Sequence, residues 1–230
     1  MNGYFDAYAA LEARIRIVDV VANNLANSQT TGFKRDFAQV LENEFGVDVR
    51  SHLDLSPGEL VNTGNGLDAA IDGPGFFTVQ SPQGERYTRA GSFSIDAKGR
   101  LVTKDGAPVL SDSGTPITVG SGTIAIEGGG TVTEDGSEVA RLKVVDFSDV
   151  TRLRKEGMYK LEWTGAPDQA RTVSEPRVKG GFLERSNVNP VTEMVNLISA
   201  YRDFESAQRT VKTMTTEMDN RLIQELSRLT

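Results

Sequence analysis

Glycines in the middle of the chain are the first candidates for chemistry. Gly64-Asn65-Gly66-Leu67-Asp68-Ala69 fits the glycine spacing of a dinucleotide-binding loop. Such a loop needs an apolar strand before it and a helix after it, because the helix N-terminus holds the phosphates. Here no apolar strand precedes the stretch, and Asp72-Gly73-Pro74-Gly75 breaks any helix after it. The pattern therefore predicts a turn-rich loop and no cofactor.

Carboxylates and the only histidine offer a second kind of chemistry. Asp68 and Asp72 lie four residues apart and can pair as acid and base, although aspartates in such a region are more often turn residues. His52 is the only histidine and the chain has no cysteine, so a catalytic base or a transition-metal site would rest on His52 or on carboxylates alone, and the sequence favours a solvated loop histidine. The acidic stretches 127–130 and 134–136 lack the ligand spacing of a calcium loop. We therefore expect no enzyme and no metal site.

Charge and hydropathy exclude further classes of partner. The net charge of −7 argues against nucleic acid and against an anionic membrane surface. No apolar run approaches the roughly 20 residues of a membrane span, so we expect no insertion into a lipid bilayer. The N-terminus has no basic segment followed by an apolar one, and no cleavable signal peptide is expected.

Changes in amino-acid composition along the chain predict where its helices and strands lie. Residues 1–27 contain no proline and glycine only at Gly3, and residues 190–230 contain no glycine and proline only at Pro190. Residues 57–185 are rich in glycine, threonine, serine and valine. We therefore predict an α+β fold with a helix at each end and a β-rich middle. Asn189, before Pro190, predicts the start of the second helix.

Both predicted helices carry an alternating three- and four-residue spacing. The stripe in the first helix consists of Tyr4, Tyr8, Leu11, Ile15, Val18, Ala22 and Leu25. The stripe in the second consists of Met194, Leu197, Tyr201, Phe204, Gln208, Val211, Thr215, Met218, Leu222, Glu225 and Leu229. A narrow stripe of this kind suits a partner helix. We expect the ends to pack on each other and on neighbouring copies; the alternative is packing on the chain's own β region.

The β-rich middle predicts antiparallel strands joined by tight turns. Turn signals recur at short intervals and favour a sandwich or a strongly bent, barrel-like sheet. The predicted strands are residues 75–79, 87–95, 100–103, 107–110, 117–119, 123–126, 139–145, 159–163 and 176–182.

Asparagines are concentrated near the end of the first helix. The stretch VVANNLANSQTTGFKRD, residues 20–36, holds three of them in five residues. Asparagine is a poor helix former, and residues 27–32 predict a helix stop that ends in a glycine able to take positive φ. A plain stop explains Asn27 and Gly32 but leaves Asn23 and Asn24 unexplained.

Four blocks of sequence resemble the bacterial flagellar rod and hook family. They are ANNLANSQTTGFKR (22–35), GELVNTGNGLDAAIDGPGFFTV (58–79), YTRAGSFSIDAKGRLVTKDGAPVL (87–110) and GFLERSNVNPVTEMVNLISAYRDFESAQR (181–209). They occur in the order found in the family, whereas residues 111–180 match it only loosely.

The resemblance implies an architecture. Residues 1–35 and 186–230 would form the two halves of a coiled-coil inner domain, residues 36–57 a connector, and residues 58–185 an outer antiparallel β domain. Such subunits stack helically into the periplasmic rod that transmits torque. The implied partners are other axial proteins, copies of the chain and the flagellar type III export apparatus.

The resemblance also implies where subunits meet. Asn23 and Asn24 would bridge neighbouring subunits, Phe33 would anchor the connector, and Lys34 and Arg35 would hold its solvent side. The expected assembly interface consists of Leu11, Ile15, Val18, Ala22, Asn23, Asn24, Leu25, Asn27, Thr31, Gly32, Phe33, Asn187, Asn189, Met194, Leu197, Tyr201, Phe204, Val211, Met218 and Leu222.

Other interpretations stay open at this point. The length and the N-terminal segment favour a proximal-rod subunit, with a distal-rod or hook subunit as the alternative within the family. From another class, a secreted coiled-coil adhesin with a glycan-binding β domain would have the same texture. That alternative predicts an exposed aromatic platform around Trp163 and Tyr159.

Overall fold

The structure, a computed structural model, describes residues 2–43 and 46–226. Helix α1 spans Asn2–Ala26, and helix α2 spans Pro190–Leu226. Short strands occupy the chain between them, so the predicted α+β class is confirmed. Helix α2 begins at the predicted residue, because the Asn189 side chain accepts hydrogen bonds from the backbone N–H groups of Val191 and Thr192, at 3.0 and 3.1 Å.

The chain divides into two compact units. The helical unit contains the residues up to Ala26, Asp36–His52 and the residues from Asn189 onward. The β unit contains Asn27–Arg35 and Leu53–Val188. The chain therefore passes between the units after residues 26, 35, 52 and 188.

The strands are short and, in the pairings described, antiparallel. Their bounds are β1 Asp36–Asn43, β2 Gly46–Leu53, β3 Leu60–Asn62, β4 Ala69–Ile71, β5 Phe76–Ser81, β6 Gly84–Thr88, β7 Phe93–Ile95, β8 Leu101–Thr103, β9 Ile124–Ile126, β10 Thr131–Glu134, β11 Ser137–Arg141, β12 Val144–Phe147, β13 Leu153–Glu156, β14 Lys160–Trp163, β15 Ala170–Thr172, β16 Val178–Gly180 and β17 Phe182–Glu184.

Two apolar clusters on the two faces of one sheet hold the β unit together. That sheet has the strand order β13-β14-β6-β5-β12-β15. Successive residues of a strand point to opposite faces, so Phe76 joins one cluster with Phe147, and Phe77 joins the other with Phe93. The Phe77 and Phe93 rings meet edge to face, with centroids 5.3 Å apart.

Strand prediction succeeds in part. Residues 107–110 and 117–119 form isolated bridges where strands were predicted. Conversely, β1 and β2 pair with each other inside the segment expected to be a connector, residues 36–57. Local periodicity does not predict such short bridges, because their pairing depends on residues that are far away in the sequence.

In the helical unit, α1 and α2 pack against each other. The half-buried members of the α1 stripe are Leu11, Val18, Ala22 and Leu25, whereas Tyr8 and Ile15 are exposed. The side chains of Tyr4, Leu222 and Glu225 and the whole of Leu229 lie outside the described residues.

Helix α2 divides its predicted stripe between two sides. Leu197, Phe204, Val211 and Thr215 are half-buried, whereas Met194, Tyr201, Gln208 and Met218 are exposed. Residues three apart lie about 60° apart around the helix axis, so a partner helix can cover one edge of the stripe and leave the other edge exposed. One side of α2 therefore does not hold the whole stripe.

Candidate functional site

The candidate site is the place where the segments of chain that enter and leave the β unit meet. We call it the anchor and define it by residues 31–35, 54–58 and 184–187. Its first element is the turn after α1, where Thr30 N–H donates to the Asn27 carbonyl at 3.0 Å. At the end of this turn, Gly32 adopts φ +66°.

Only glycine fits at position 32. A Cβ there would lie 2.2 Å from the backbone nitrogen of Ala90, and the positive φ disfavours other residues. The Gly32 N–H donates to the carbonyl of Glu184 at 2.8 Å. The outgoing segment is therefore joined to the returning one at its first residue after the turn.

Phe33 fixes the outgoing segment by burial. Its side chain is completely buried, and the Lys155 ammonium lies 3.6 Å from the ring centroid. The same ammonium donates to the Lys34 carbonyl at 3.0 Å. Phe33 therefore anchors this segment inside the β unit, as the sequence led us to expect.

A buried ion cluster lies beside Phe33. The Glu184 side chain is 0% exposed and the Lys34 side chain 3%, and Lys34 Nζ lies 2.6 Å from Glu184 Oε1. The other carboxylate oxygen, Oε2, accepts from Arg89 Nη1 at 3.4 Å. The prediction that Lys34 faces solvent is therefore wrong, because a buried carboxylate compensates its charge.

Two further hydrogen bonds from the cluster go to backbone carbonyls. Lys34 Nζ donates to Ser56 O at 2.7 Å, and Arg89 Nη2 donates to Gly73 O at 2.7 Å. Glu184 Oε1 also accepts from the Gly58 N–H at 2.9 Å. One carboxylate thus connects three segments that are far apart in sequence.

Burial determines the titration of the two cations. Desolvation lowers the pKa of Lys34 from its usual value, and the attraction of Glu184 opposes this shift. Desolvation likewise lowers the pKa of Arg89, again opposed by Glu184. The cluster therefore depends on its carboxylate, because without it both cations would be buried with little compensation.

Asn187 closes a ring of hydrogen bonds at the same place. The Arg35 N–H donates to Asn187 Oδ1 at 2.8 Å, and Asn187 Nδ2 donates to the Asp54 carbonyl at 2.9 Å. The Asp54 N–H in turn donates to the Arg35 carbonyl at 2.8 Å. Arg35, Asp54 and Asn187 lie within two residues of three of the four points where the chain passes between units.

The helical unit has a smaller connection of its own. Asn24 is 1% exposed; its Nδ2 donates to the Asp36 carbonyl at 2.8 Å and its Oδ1 accepts from the Asp36 N–H at 2.9 Å. The amide donates and accepts at once, as expected, but within its own chain. The predicted bridge between subunits is therefore kept for the exposed Asn23 and not for the Asn24 amide.

Of the residues that the sequence placed in the assembly interface, Asn27, Thr31, Gly32, Phe33 and Asn187 belong to the β unit, and their part in assembly stays a prediction. Sequence reasoning missed Glu184, Arg89 and the burial of Lys34. The sequence offers little indication of this cluster, because the three charged residues are far apart along the chain and local periodicity does not show that they pair. Asn189 caps α2, and the helical stripe residues lie in the helical unit.

Comparison with known proteins supplies the context for this geometry. The family described as "Flagella basal body rod protein" matches residues 7–34, "Flagellar hook protein FlgE/F/G D1 domain" matches residues 70–137, and "Flagellar basal body rod FlgEFG protein C-terminal" matches residues 179–225.

Curated relatives match along nearly the whole chain. The flagellar basal-body rod protein FlgF of Caulobacter vibrioides is 34% identical over 93% of this chain and 93% of its own. The rod protein FlgG of Buchnera aphidicola is 31% identical over 95% of this chain and 96% of its own. FlgG of Agrobacterium fabrum is 31% identical over 90% and 93%. The chain belongs to the flagellar basal-body rod proteins.

This rod protein is a structural subunit of the flagellar basal body and assembles with other axial flagellar proteins. Its relatives are structural proteins. Within residues 2–43 and 46–226, no helix is long and apolar enough to cross a bilayer. The same residues contain no group of three or more histidine, aspartate or glutamate side chains placed to hold a metal.

The aromatic platform required by the adhesin alternative is not formed by its candidate residues. Trp163 stacks on Phe147 with ring centroids 4.5 Å apart and donates from Nε1 to the Ala166 carbonyl at 3.0 Å. Tyr159 donates from its hydroxyl to Asp105 at 2.6 Å and lines a pocket of about 590 Å³. Both rings are thus engaged inside the β unit of the rod protein.

Proposed function

We propose that this rod subunit assembles through its helical unit, in which α1 and α2 form a coiled coil with each other and with helices of neighbouring axial subunits. The observation that carries the proposal is an exposed apolar face on α2. We call this face the outer stripe, and it consists of Val191, Met194, Val195, Ile198 and Tyr201.

The outer stripe lies apart from the side of α2 that is buried in the chain. Its members follow the spacing i, i+3, i+4, i+7 and i+10, which places them on one helical face. The buried side is marked by Glu193, Ala200 and Phe204. An apolar face of this extent left in water is characteristic of a protein–protein contact.

A helix of another axial subunit is the occupant that fits this stripe. The family assembles with other axial proteins, and the stripe is narrow, as a helical partner requires. Copies of this chain and other rod or hook proteins present the matching helices. A bilayer is a poorer fit because the chain carries a net charge of −7.

The resemblance to the family also supports a position within the rod. We place the subunit in the proximal part of the rod, in the periplasm, where it transmits torque along the axis. It reaches this location through the flagellar type III export apparatus. Secretion of the full chain by cells that carry or lack a functional export apparatus tests this route.

Three charge substitutions test the assembly. Ile198→Asp should abolish rod assembly without changing the fold of the free chain, because the new charge would be desolvated only between subunits. Leu25→Asp and Phe204→Asp should abolish assembly and also loosen the α1–α2 pair, since both side chains are half-buried. The measurements are motility rescue, secretion level and the melting temperature of the β unit.

Thr192→Asp is the matched control. Thr192 is exposed next to the outer stripe but does not belong to it, and an acidic residue in the first turn suits the helix dipole. This variant should support motility. Normal motility of Ile198→Asp at normal secretion would remove the outer stripe from the assembly.

A further inference from the structure

Glu184 is the charged group on which the anchor converges. It accepts from a cation of the outgoing segment, from a backbone N–H at residue 58 and from Arg89, and its own carbonyl accepts from Gly32. Its side chain is fully buried. Burying a carboxylate costs free energy unless the carboxylate is paired with cations and accepts further hydrogen bonds, as Glu184 does.

The second observation is that the anchor lies wholly inside the β unit. Residues 27–35 belong to that unit although they follow α1 directly and are separated from Leu53 by the hairpin of the helical unit. Phe33 contacts Lys155, and Gly32 contacts Glu184 and Ala90, all of which belong to the β unit. The order of this segment therefore has sources that do not include the helices.

We propose that Glu184 and Asn187 form a clamp that keeps residues 31–35, 54–58 and 184–187 ordered as part of the β unit whether or not the terminal helices are ordered. The clamp fixes the positions from which the chain leaves toward the helical unit. The helices can then order or disorder during assembly without loosening the β unit.

Hydrogen–deuterium exchange of the full chain, read by mass spectrometry, tests the clamp. In the wild type, peptides covering residues 31–35 should exchange as slowly as peptides covering residues 93–103, which contain β7 and β8 of the core. Glu184→Gln keeps the shape and removes the charge. It should accelerate exchange in residues 31–35 at least about tenfold and leave residues 93–103 unchanged, because local opening no longer breaks the ion cluster.

Glu59→Gln is the matched control for loss of a carboxylate. Glu59 and Arg185 pair at 3.5 Å on the surface. Glu59 directly follows Gly58 in the sequence, and Arg185 directly follows Glu184. This variant should leave exchange unchanged in all peptides, since exposed pairs contribute little. Wild-type exchange of residues 31–35 in Glu184→Gln, or equal acceleration of residues 93–103, would overturn the clamp.

A second variant removes the ring without creating a buried unpaired charge. Asn187→Ala should accelerate exchange in residues 31–35 and 53–58 while residues 93–103 stay protected. It also covers the case in which Glu184→Gln does not fold. Unchanged exchange of residues 53–58 in Asn187→Ala, or failure of both variants to fold, would show that the segment is merely part of the core.

A further variant tests whether the clamp is independent of the helices. Phe204→Asp should accelerate exchange in α1 and leave residues 31–35 protected. Loss of protection in residues 31–35 together with α1 would contradict the proposal. None of these readouts involves rod assembly, so failure of the clamp and failure of the assembly proposal are distinguishable.

Discussion

The helical unit and the β unit differ in how far their apolar side chains are buried. In the β unit, Phe33, Phe77 and Leu101 are completely buried, and Phe77 and Leu101 belong to one apolar cluster of that unit. In the helical unit, Val191 and Ile198 remain exposed on a helix that already packs against another. The β unit therefore completes its core within one chain, whereas the helical unit leaves apolar surface for partners.

This difference predicts unequal protection in the free subunit, which is the largest effect we expect. Trypsin should cut α1 after Arg14 and α2 after Arg209 about 100-fold faster than it cuts after Lys34, because the helices open locally and the anchor does not. The resistant product should retain residues 53–188. Mass spectrometry of timed digests measures the order of cuts, and helices that resist trypsin in a proven monomer would contradict the comparison.

Sequence reasoning recovered the α+β class, the start of α2 and a glycine-dependent turn that ends in a buried phenylalanine. These features are local: a capping side chain, a positive φ and a change of composition each act within a few residues. It did not recover the Glu184 cluster, because Lys34, Arg89 and Glu184 are brought together only by the fold. It also did not distinguish the two edges of the α2 stripe: Tyr201 is exposed and Phe204 is half-buried, although residues three apart share a helical face.

Two phenylalanines four residues apart test the comparison by stability. Phe33 is 0% exposed in the β unit, and Phe37 is 43% exposed in the helical unit. Phe33→Ala should destabilise the β unit by about 3–5 kcal/mol, because it removes a buried ring and leaves a cavity. Phe37→Ala should cost less than about 1 kcal/mol. Urea unfolding followed by Trp163 fluorescence for the β unit and by far-UV circular dichroism for the helical unit measures the two losses, and equal losses would refute the assignment.

Two adjacent asparagines separate intrachain from interchain roles by the size of the effect on the free chain. Asn24→Ala leaves the Asp36 N–H and carbonyl without their side-chain partner and should destabilise the helical unit by about 1–3 kcal/mol. Asn23 is exposed, so Asn23→Ala should change the stability of the free chain by less than about 0.5 kcal/mol. Thermal unfolding followed by far-UV circular dichroism compares the two.

Assembly then gives the complementary result for this pair. If Asn23 bridges subunits, Asn23→Ala should reduce rod completion at normal secretion although the stability of its free chain changes little. Motility in complemented cells provides that measurement. Unchanged motility of Asn23→Ala would show that the Asn23 side chain serves no inter-subunit contact.

The smallest effect concerns a second charge cluster of the β unit, which lies nearer the surface than Glu184. Burial tends to raise the pKa of Asp105, but hydrogen bonds from Lys160, Thr103 and Tyr159 outweigh it and lower the pKa to about 2. The folded pKa thus lies below the unfolded value of about 3.9, so the ionised carboxylate stabilises the fold. That stabilisation is complete above about pH 4 and disappears as the pH falls from about 4 to 2.

The pH dependence of Asp105→Asn measures this contribution. The Asp105 side chain is 39% exposed, so solvent screening limits the difference from the wild type to under about 1 kcal/mol at pH 7. The difference should shrink toward zero at pH 2, where the wild-type carboxylate is half protonated and its advantage over the amide is nearly lost. Urea unfolding at several pH values between 2 and 7 gives the curve. A difference that stays constant over this range would mean that the substitution changes packing, not charge, and that the surface cluster does not stabilise the β unit electrostatically.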